Sequence, residues 1–213
     1  MSELNFEPMR RAMVASQLRT TAVNDARVVE AMGAVPRERY VPAERAALAY
    51  VDTLVPLGGG RWLNPPMVTG RLLTAAELRP GDHALVVGAA TGYAAAVLAR
   101  LVASVVALEV DPALGAGAPA LERVAWVTGP LADGWSARAP YDVILIDGAI
   151  EAIPDSLVGQ LAEGGRLVTG LVDQGVIRLV IGRRVAAGFG TSSFADAEAA
   201  SLPGFAPPPA FRF

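Results

Sequence analysis

The run Gly88-Ala89-Ala90-Thr91-Gly92-Tyr93 and the carboxylate of Glu109, about twenty residues further on, form the spacing in this chain best suited to chemistry. Residues without a Cβ allow the chain to reverse tightly and a ligand to approach the backbone, which is the use read here for Gly88 and Gly92. An acid at the end of the strand that follows such a turn accepts hydrogen bonds from ribose hydroxyls. The pair therefore points to a nucleotide-like ligand. A second candidate is Asn64, held before Pro65 and Pro66 in the stretch Val55–Pro66; a residue before proline is pushed towards extended backbone, so this stiff loop can line a cleft. A third is Asp147, which closes the apolar run that starts at Asp142.

The elements needed to hold these residues are legible around them. Ala84–Val87 is a short continuous apolar run, the pattern of a strand buried on both faces of a parallel sheet. Ala94–Leu101 is rich in the helix formers Ala and Leu, and Ser104–Val110 is again a strand. Together they read as strand, glycine turn, helix, strand. Further strands are expected at Val124–Val127, Asp142–Asp147, Arg166–Leu171 and Val176–Arg183, with a helix at Pro154–Leu161. Pro112, Gly115, Gly117 and Pro119 interrupt the helix expected before the third strand. A last strand is expected near Ala210–Phe213, in a Pro-rich tail for which an edge strand, a lid over the cleft and a partner contact all stay open.

Upstream, Phe6–Arg19 places Met9, Met13, Val14 and Leu18 at helical spacing. Asn24 or Asp25 caps a second helix at Ala26–Gly33, Pro36–Pro42 is an irregular connector, Ala43–Tyr50 is a third short helix, and Met67–Leu78 reads as another. The expected organisation is one compact unit: residues 1–78 as a helical cap and substrate loop, packed on a core of residues 79–213.

Composition narrows the chemistry. The 213 residues contain no Cys and a single His, and all 18 cationic side chains are Arg. A disulfide framework, a Cys nucleophile, a Lys Schiff base and a Walker-type phosphate loop are thereby excluded, and a Ser-His triad or multi-His zinc site is disfavoured. A net charge of −3 gives no footprint for nucleic acid or an anionic membrane. The apolar window Ala84–Leu108 is cut by its glycine turn into strand and helix lengths, so no membrane span is expected. The N-terminal acids and arginines lack signal-peptide organisation, and a cytoplasmic location is expected.

Several ordered motifs resemble the protein-L-isoaspartate O-methyltransferase family over nearly the whole chain. They are Met13-Val-x-x-Gln17-Leu18, Asp25-x-Arg27-Val28-x-x-Ala31-Met32, Val35-Pro36-Arg37-x-x-Tyr40-Val41-Pro42, Ala49-Tyr50-x-Asp52 and Pro56-Leu57-Gly58. Leu78-x-Pro80-Gly81-Asp82, Thr91-Gly92-Tyr93-x-Ala95-Ala96-Val97-Leu98-Ala99 and Glu163-Gly164-Gly165-Arg166-Leu167-Val168 complete the set. The resemblance implies an α/β, Rossmann-like S-adenosylmethionine-dependent methyltransferase fold, mostly parallel, with helices on both faces and an N-terminal helical cap. It implies S-adenosylmethionine as cofactor and isoaspartyl-containing proteins or peptides as partners. The acceptor is a carboxylate, already a nucleophile at neutral pH, so positioning suffices and no His or Cys base is needed.

On that resemblance Glu109 holds the ribose, Gly88, Ala89, Ala90, Thr91, Gly92 and Tyr93 face the methionine end, and Val110 and Leu131 belong to the cofactor site. Asn64 takes the catalytic position where the family has Ser or Thr beside the reacting carboxylate. The chain departs from the pattern at Val86, where the family has an acid, at Ala90 for the middle glycine, and at Gly129-Pro130-Leu131 for Gly-Asp-Gly. Pro130 has no N–H to donate. Two other readings stay open: a family member that keeps the fold as a binding or scaffold module, motivated by these clustered departures, and a small-molecule O-methyltransferase, motivated by Asp147. Nothing in the sequence fixes the oligomeric state.

Overall fold

The computed structural model describes residues 5–205. Helix α1 (Phe6–Met13) is capped by the Asn5 side chain and runs on into a wider turn at Val14–Leu18. Helix α2 (Ala26–Ala34) starts on Asp25, whose carboxylate accepts from the Arg27 N–H. The expected connector at 36–42 and third short helix are both tight 3₁₀ turns, Arg37–Tyr40 and Ala43–Leu48. The stretch expected to be loop is instead a hairpin of β1 (Val55–Gly58) and β2 (Arg61–Leu63), joined through Gly59 and Gly60. Arg61 and Leu63 point inward and Trp62 outward, as strand alternation requires. Helix α3 (Pro66–Ala75) follows, with Pro at its first position.

The core begins at β3 (His83–Val87), followed by α4 (Tyr93–Leu98), β4 (Ser104–Glu109), the single turn α5 (Pro112–Gly115) and β5 (Val124–Thr128). Next come β6 (Tyr141–Ile150), the single turn α6 (Asp155–Val158), β7 (Leu161–Asp173), β8 (Val176–Val185) and β9 (Gly188–Asp196). One seven-stranded sheet has the order β5-β4-β3-β6-β7-β8-β9. It is parallel from β5 through β7, while β8 and β9 add antiparallel. β9 was not expected, β6 and β7 run longer than their apolar cores, and the helix expected at 154–161 shrinks to one turn. The strand expected at 210–213 lies outside the described residues.

Both faces of the sheet are covered. Along β3, Ala84 and Val86 pack into an apolar cluster with Met13, Leu18, Met32, Leu72 and α4, whereas Leu85 and Val87 join Leu131, Leu157, Leu161, Leu202 and Phe205 on the other side. Arg166 of β7 ties the sheet to the chain just after α3: its guanidinium donates to the Ala76 carbonyl at 2.9 Å and the Glu77 carbonyl at 3.0 Å, and pairs with Asp82 at 2.5 Å in a buried bridge. Among the described residues, no helix is long and apolar enough to cross a membrane.

Candidate functional site

After β3 the chain builds outward through β4 and β5, then returns to lay β6 on the other side of β3. In an open α/β sheet, ligands bind outside the carboxyl ends of the strands where the winding reverses. That crevice lies between Gly88, at the end of β3, and Gly148, near the end of β6. The glycine turn is tied down by the Gly88 and Ala89 N–H groups, each donating to the Leu108 carbonyl at 3.0 Å. Gly92 initiates α4 with φ +96°, a left-handed conformation that favours glycine. Ala90 also has positive φ, at +49°; an L-residue there costs of order 1–3 kcal/mol, and its N–H donates at 2.7 Å to Glu109 Oε2. The turn and the acid that ends β4 are thus joined directly.

Glu109 is buried, and its other oxygen accepts from the Val110 N–H at 2.9 Å and from the Arg61 guanidinium. Arg61 comes from the β1–β2 hairpin, is equally buried, and sends its second terminal nitrogen to the Gly88 carbonyl at 3.1 Å. The remaining positions expected in the site divide. Thr91 donates its hydroxyl to the Tyr40 carbonyl at 2.6 Å. Tyr93 is buried against the Arg37–Tyr40 turn, edge-on to Tyr40 with 5.7 Å between ring centroids and with the Arg37 guanidinium 4.6 Å from its own. Burial pushes the Tyr93 hydroxyl upward from the usual tyrosine range. Val110 is exposed, and Leu131 is buried in the apolar cluster under the sheet.

Asn64 is buried and makes three contacts: its Nδ2 donates to the Asp147 carboxylate at 2.8 Å and the Asp147 carbonyl at 3.0 Å, and its Oδ1 accepts from the Ala200 N–H at 2.8 Å. Asp147 lies where the register of β6 with β7 shifts. Burial raises its carboxyl above the ordinary aspartate value, partly offset by the Asn64 hydrogen bond and by the charges of Arg37 and Arg61. Among the described residues no group of three or more His, Cys, Asp or Glu side chains could hold a metal ion, so the geometry gives Asp147 no metal-site companions.

The Pro-rich tail, left open between an edge strand, a lid over the cleft and a partner contact, overlaps at Pro203 a segment that reaches Asn64 from the far end of the chain; the contact with Asn64 itself was not foreseen. Ala200 accepts from the Ala149 N–H at 2.7 Å, Leu202 donates to the Ala149 carbonyl at 3.0 Å, and Ser201 pairs with Ala149 as a parallel bridge. The Leu202 side chain then lies between the two glycines that bound the crevice. A Cβ at Gly88 would stand 2.9 Å from Leu202 Cδ2 and 3.1 Å from Arg61 Nη2, and one at Gly148 would stand 2.6 Å from Leu202 Cγ. Arg61 escaped notice because a lone Arg among glycines reads as a solvated loop residue.

Sheet order, glycine turn and acid-tipped β4 define a Rossmann-like protein of the S-adenosylmethionine-dependent methyltransferase class. The comparisons narrow the class. A family model described as Protein-L-isoaspartate(D-aspartate) O-methyltransferase matches residues 9–184. The chain is 40% identical over 181 residues to protein-L-isoaspartate O-methyltransferase 2 of Anaeromyxobacter sp. (strain Fw109-5), covering 82% of this chain and 74% of that one. It is 43% identical over 166 residues to the protein-L-isoaspartate O-methyltransferase of Methylorubrum populi, covering 75% and 77%. A solved protein-L-isoaspartate O-methyltransferase superposes with a TM-score of 0.78 at 20% identity, over 92% of this chain and 67% of that one. A Plasmodium falciparum structure of the same description, in complex with S-adenosyl-L-homocysteine, gives 0.77 at 19% identity over 95% and 100%. The chain belongs to the protein-L-isoaspartate(D-aspartate) O-methyltransferase family.

Proposed function

We propose that this chain transfers a methyl group from S-adenosylmethionine to the carboxylate of isoaspartyl residues in damaged proteins, in the cytoplasm. The observation that carries the reading is the contact of Glu109 with the Ala90 N–H, at 2.7 Å, on a chain that matches the family over residues 9–184. An acid in that position is what ribose hydroxyls need. The absence of Cys and Lys and the lone His are no obstacle, since an ionised carboxylate attacks an activated methyl group without a base.

The residues present fit the cofactor only in part. The glycine turn and Glu109 suit an adenosyl group, but Arg61 holds that carboxylate and Leu202 fills the crevice between Gly88 and Gly148. As arranged, the crevice does not admit it. What the chain itself supplies differs by position: the backbone of Gly88–Tyr93 offers a close approach, Val110 follows the acid and is exposed, Leu131 is buried in the apolar cluster under the sheet, and the Asn64 amide is committed to Asp147. Methyl incorporation into an isoaspartyl peptide, lost in Glu109→Ala, is the test of this reading. No turnover at saturating cofactor would sink it. The filled crevice favours one second reading, a non-catalytic member that keeps the fold as a binding module.

A further inference from the structure

The crevice at the winding reversal is closed by this chain's own residues from two directions, and the closure has the features of an intramolecular ligand. From one side Arg61 supplies a planar donor fork that engages the Glu109 carboxylate and the Gly88 carbonyl together. These are the two groups that end β3 and β4. From the other side the segment Ala199–Phe205 is held at the end of β6 by a single parallel bridge, with Leu202 seated between Gly88 and Gly148 and Phe205 buried. Asn64 is the latch between the two: it receives the Ala200 N–H and grips Asp147 at the register shift in β6. Gly148 accommodates the closure, because a Cβ there would come within 2.5 Å of the Ala200 carbonyl oxygen.

We propose that Ala199–Phe205, together with Arg61, is a built-in gate that competes with S-adenosylmethionine for the crevice between Gly88 and Gly148, so that the cofactor enters only when the segment swings out and Arg61 releases Glu109. The inference rests on the reading of the chain as an adenosyl-dependent enzyme. Competition is dictated by hydrogen-bond capacity as well as by volume. The Oε1 atom of Glu109 already accepts from Arg61 and Val110, and Oε2 accepts from Ala90, which leaves too few sites for two ribose hydroxyls while Arg61 stays. Arg61 also opposes a sulfonium by like charge. A gate of this kind lowers apparent affinity by the fraction of time the crevice is open.

The chain contains no Cys, so a single engineered disulfide can lock the gate without ambiguity. Ala149 and Ser201 are partners in a parallel bridge, and paired chains lie about 4.8 Å apart, a separation within the Cα range of about 4.4–6.8 Å that a disulfide spans. The experiment is calorimetric titration with S-adenosylhomocysteine of the native chain, of Arg61→Gln, of Leu202→Ala, and of the Ala149→Cys/Ser201→Cys chain in its oxidised and reduced forms. We expect the two single substitutions each to tighten binding by about tenfold or more, the oxidised chain not to bind, and reduction of the same sample to restore binding. Amide exchange at Ala200 and Leu202 in the native chain should quicken when S-adenosylhomocysteine is added. Equal affinity of the oxidised and reduced forms would overturn the gate while leaving cofactor use intact. No binding by any of the chains would remove both, making the segment a permanent wall and the protein a fold without its cofactor.

Discussion

Gly148→Ala is the substitution whose outcome the geometry constrains most tightly. The new methyl carbon would lie 2.5 Å from the Ala200 carbonyl oxygen and 2.6 Å from Leu202 Cγ, distances that non-bonded atoms do not adopt, so something must move. The β6 backbone cannot, because β3 and β7 hold it on both sides. The segment 199–205 therefore yields, and the cost of the substitution is capped at the free energy with which that segment docks. Docking gains three hydrogen bonds, Ala149 to Ala200, Leu202 to Ala149 and Ala200 to Asn64, at about 1 kcal/mol each. Burial of Leu202 and Phe205 adds about 1.5–3 kcal/mol apiece. Ordering the seven backbone residues costs about 1–2 kcal/mol each, so docking is balanced to within a few kcal/mol. The expected result is a fall in Tm of less than about 10 °C, accompanied by loss of amide protection at Ala200 and Leu202 while β3 stays protected. Gly117→Ala, which meets nothing within 4 Å, is the control. Amide exchange followed by NMR reads the outcome. Retained protection at Ala200 and Leu202, or a loss of stability large enough to unfold the sheet, would refute the reasoning.

Other outcomes follow from the buried charges. Arg166→Ala leaves Asp82 buried without its partner and strips the Ala76 and Glu77 carbonyls of a donor, and urea denaturation should show a loss of about 3–5 kcal/mol; a loss below about 1 kcal/mol would contradict the assigned bridge. Asp147 carries a folded-state carboxyl held above its ordinary value of 3.8 by burial. The unfolded chain therefore gives up this proton first as pH rises, and the group removes stability above the ordinary aspartate range. Asp147→Asn should accordingly gain on the native chain at pH 7–8, and the gain should narrow as pH falls towards that range. Denaturation midpoints compared across pH check this, and a gain independent of pH would exclude the linkage. Arg61→Met leaves the Glu109 carboxylate buried without its guanidinium partner, so urea denaturation should show a loss of about 3–5 kcal/mol, and a loss below about 1 kcal/mol would contradict the pairing.

Much of the fold was legible because β3, β4 and β6 are buried on both faces and their sequences are continuous apolar runs. The turn between Gly88 and Gly92 and its partner Glu109 were legible for a related reason: backbone conformation and a fixed spacing leave a mark on residue type. The elements missed are those whose stability comes from pairing. In the β1–β2 hairpin, Pro56 and three consecutive glycines conceal strands that only their mutual hydrogen bonds reveal. β9 is mostly exposed and built from Gly, Thr and Ser around Phe189 and Phe194, a composition that reads as loop until β8 lies beside it. The site was legible on one side only. Asn64 and Asp147 each drew attention singly, but no local pattern links them to Ala200, 136 residues away from Asn64.

That separation bears on the order of events during synthesis. Gly88, Glu109 and Gly148 all leave the ribosome before Leu202, and the 54 residues from Ala149 through Leu202 take roughly 3–10 s to add. For that interval the nascent chain has the walls of the crevice but not the segment that fills it, and a small molecule already in solution has first claim on the space.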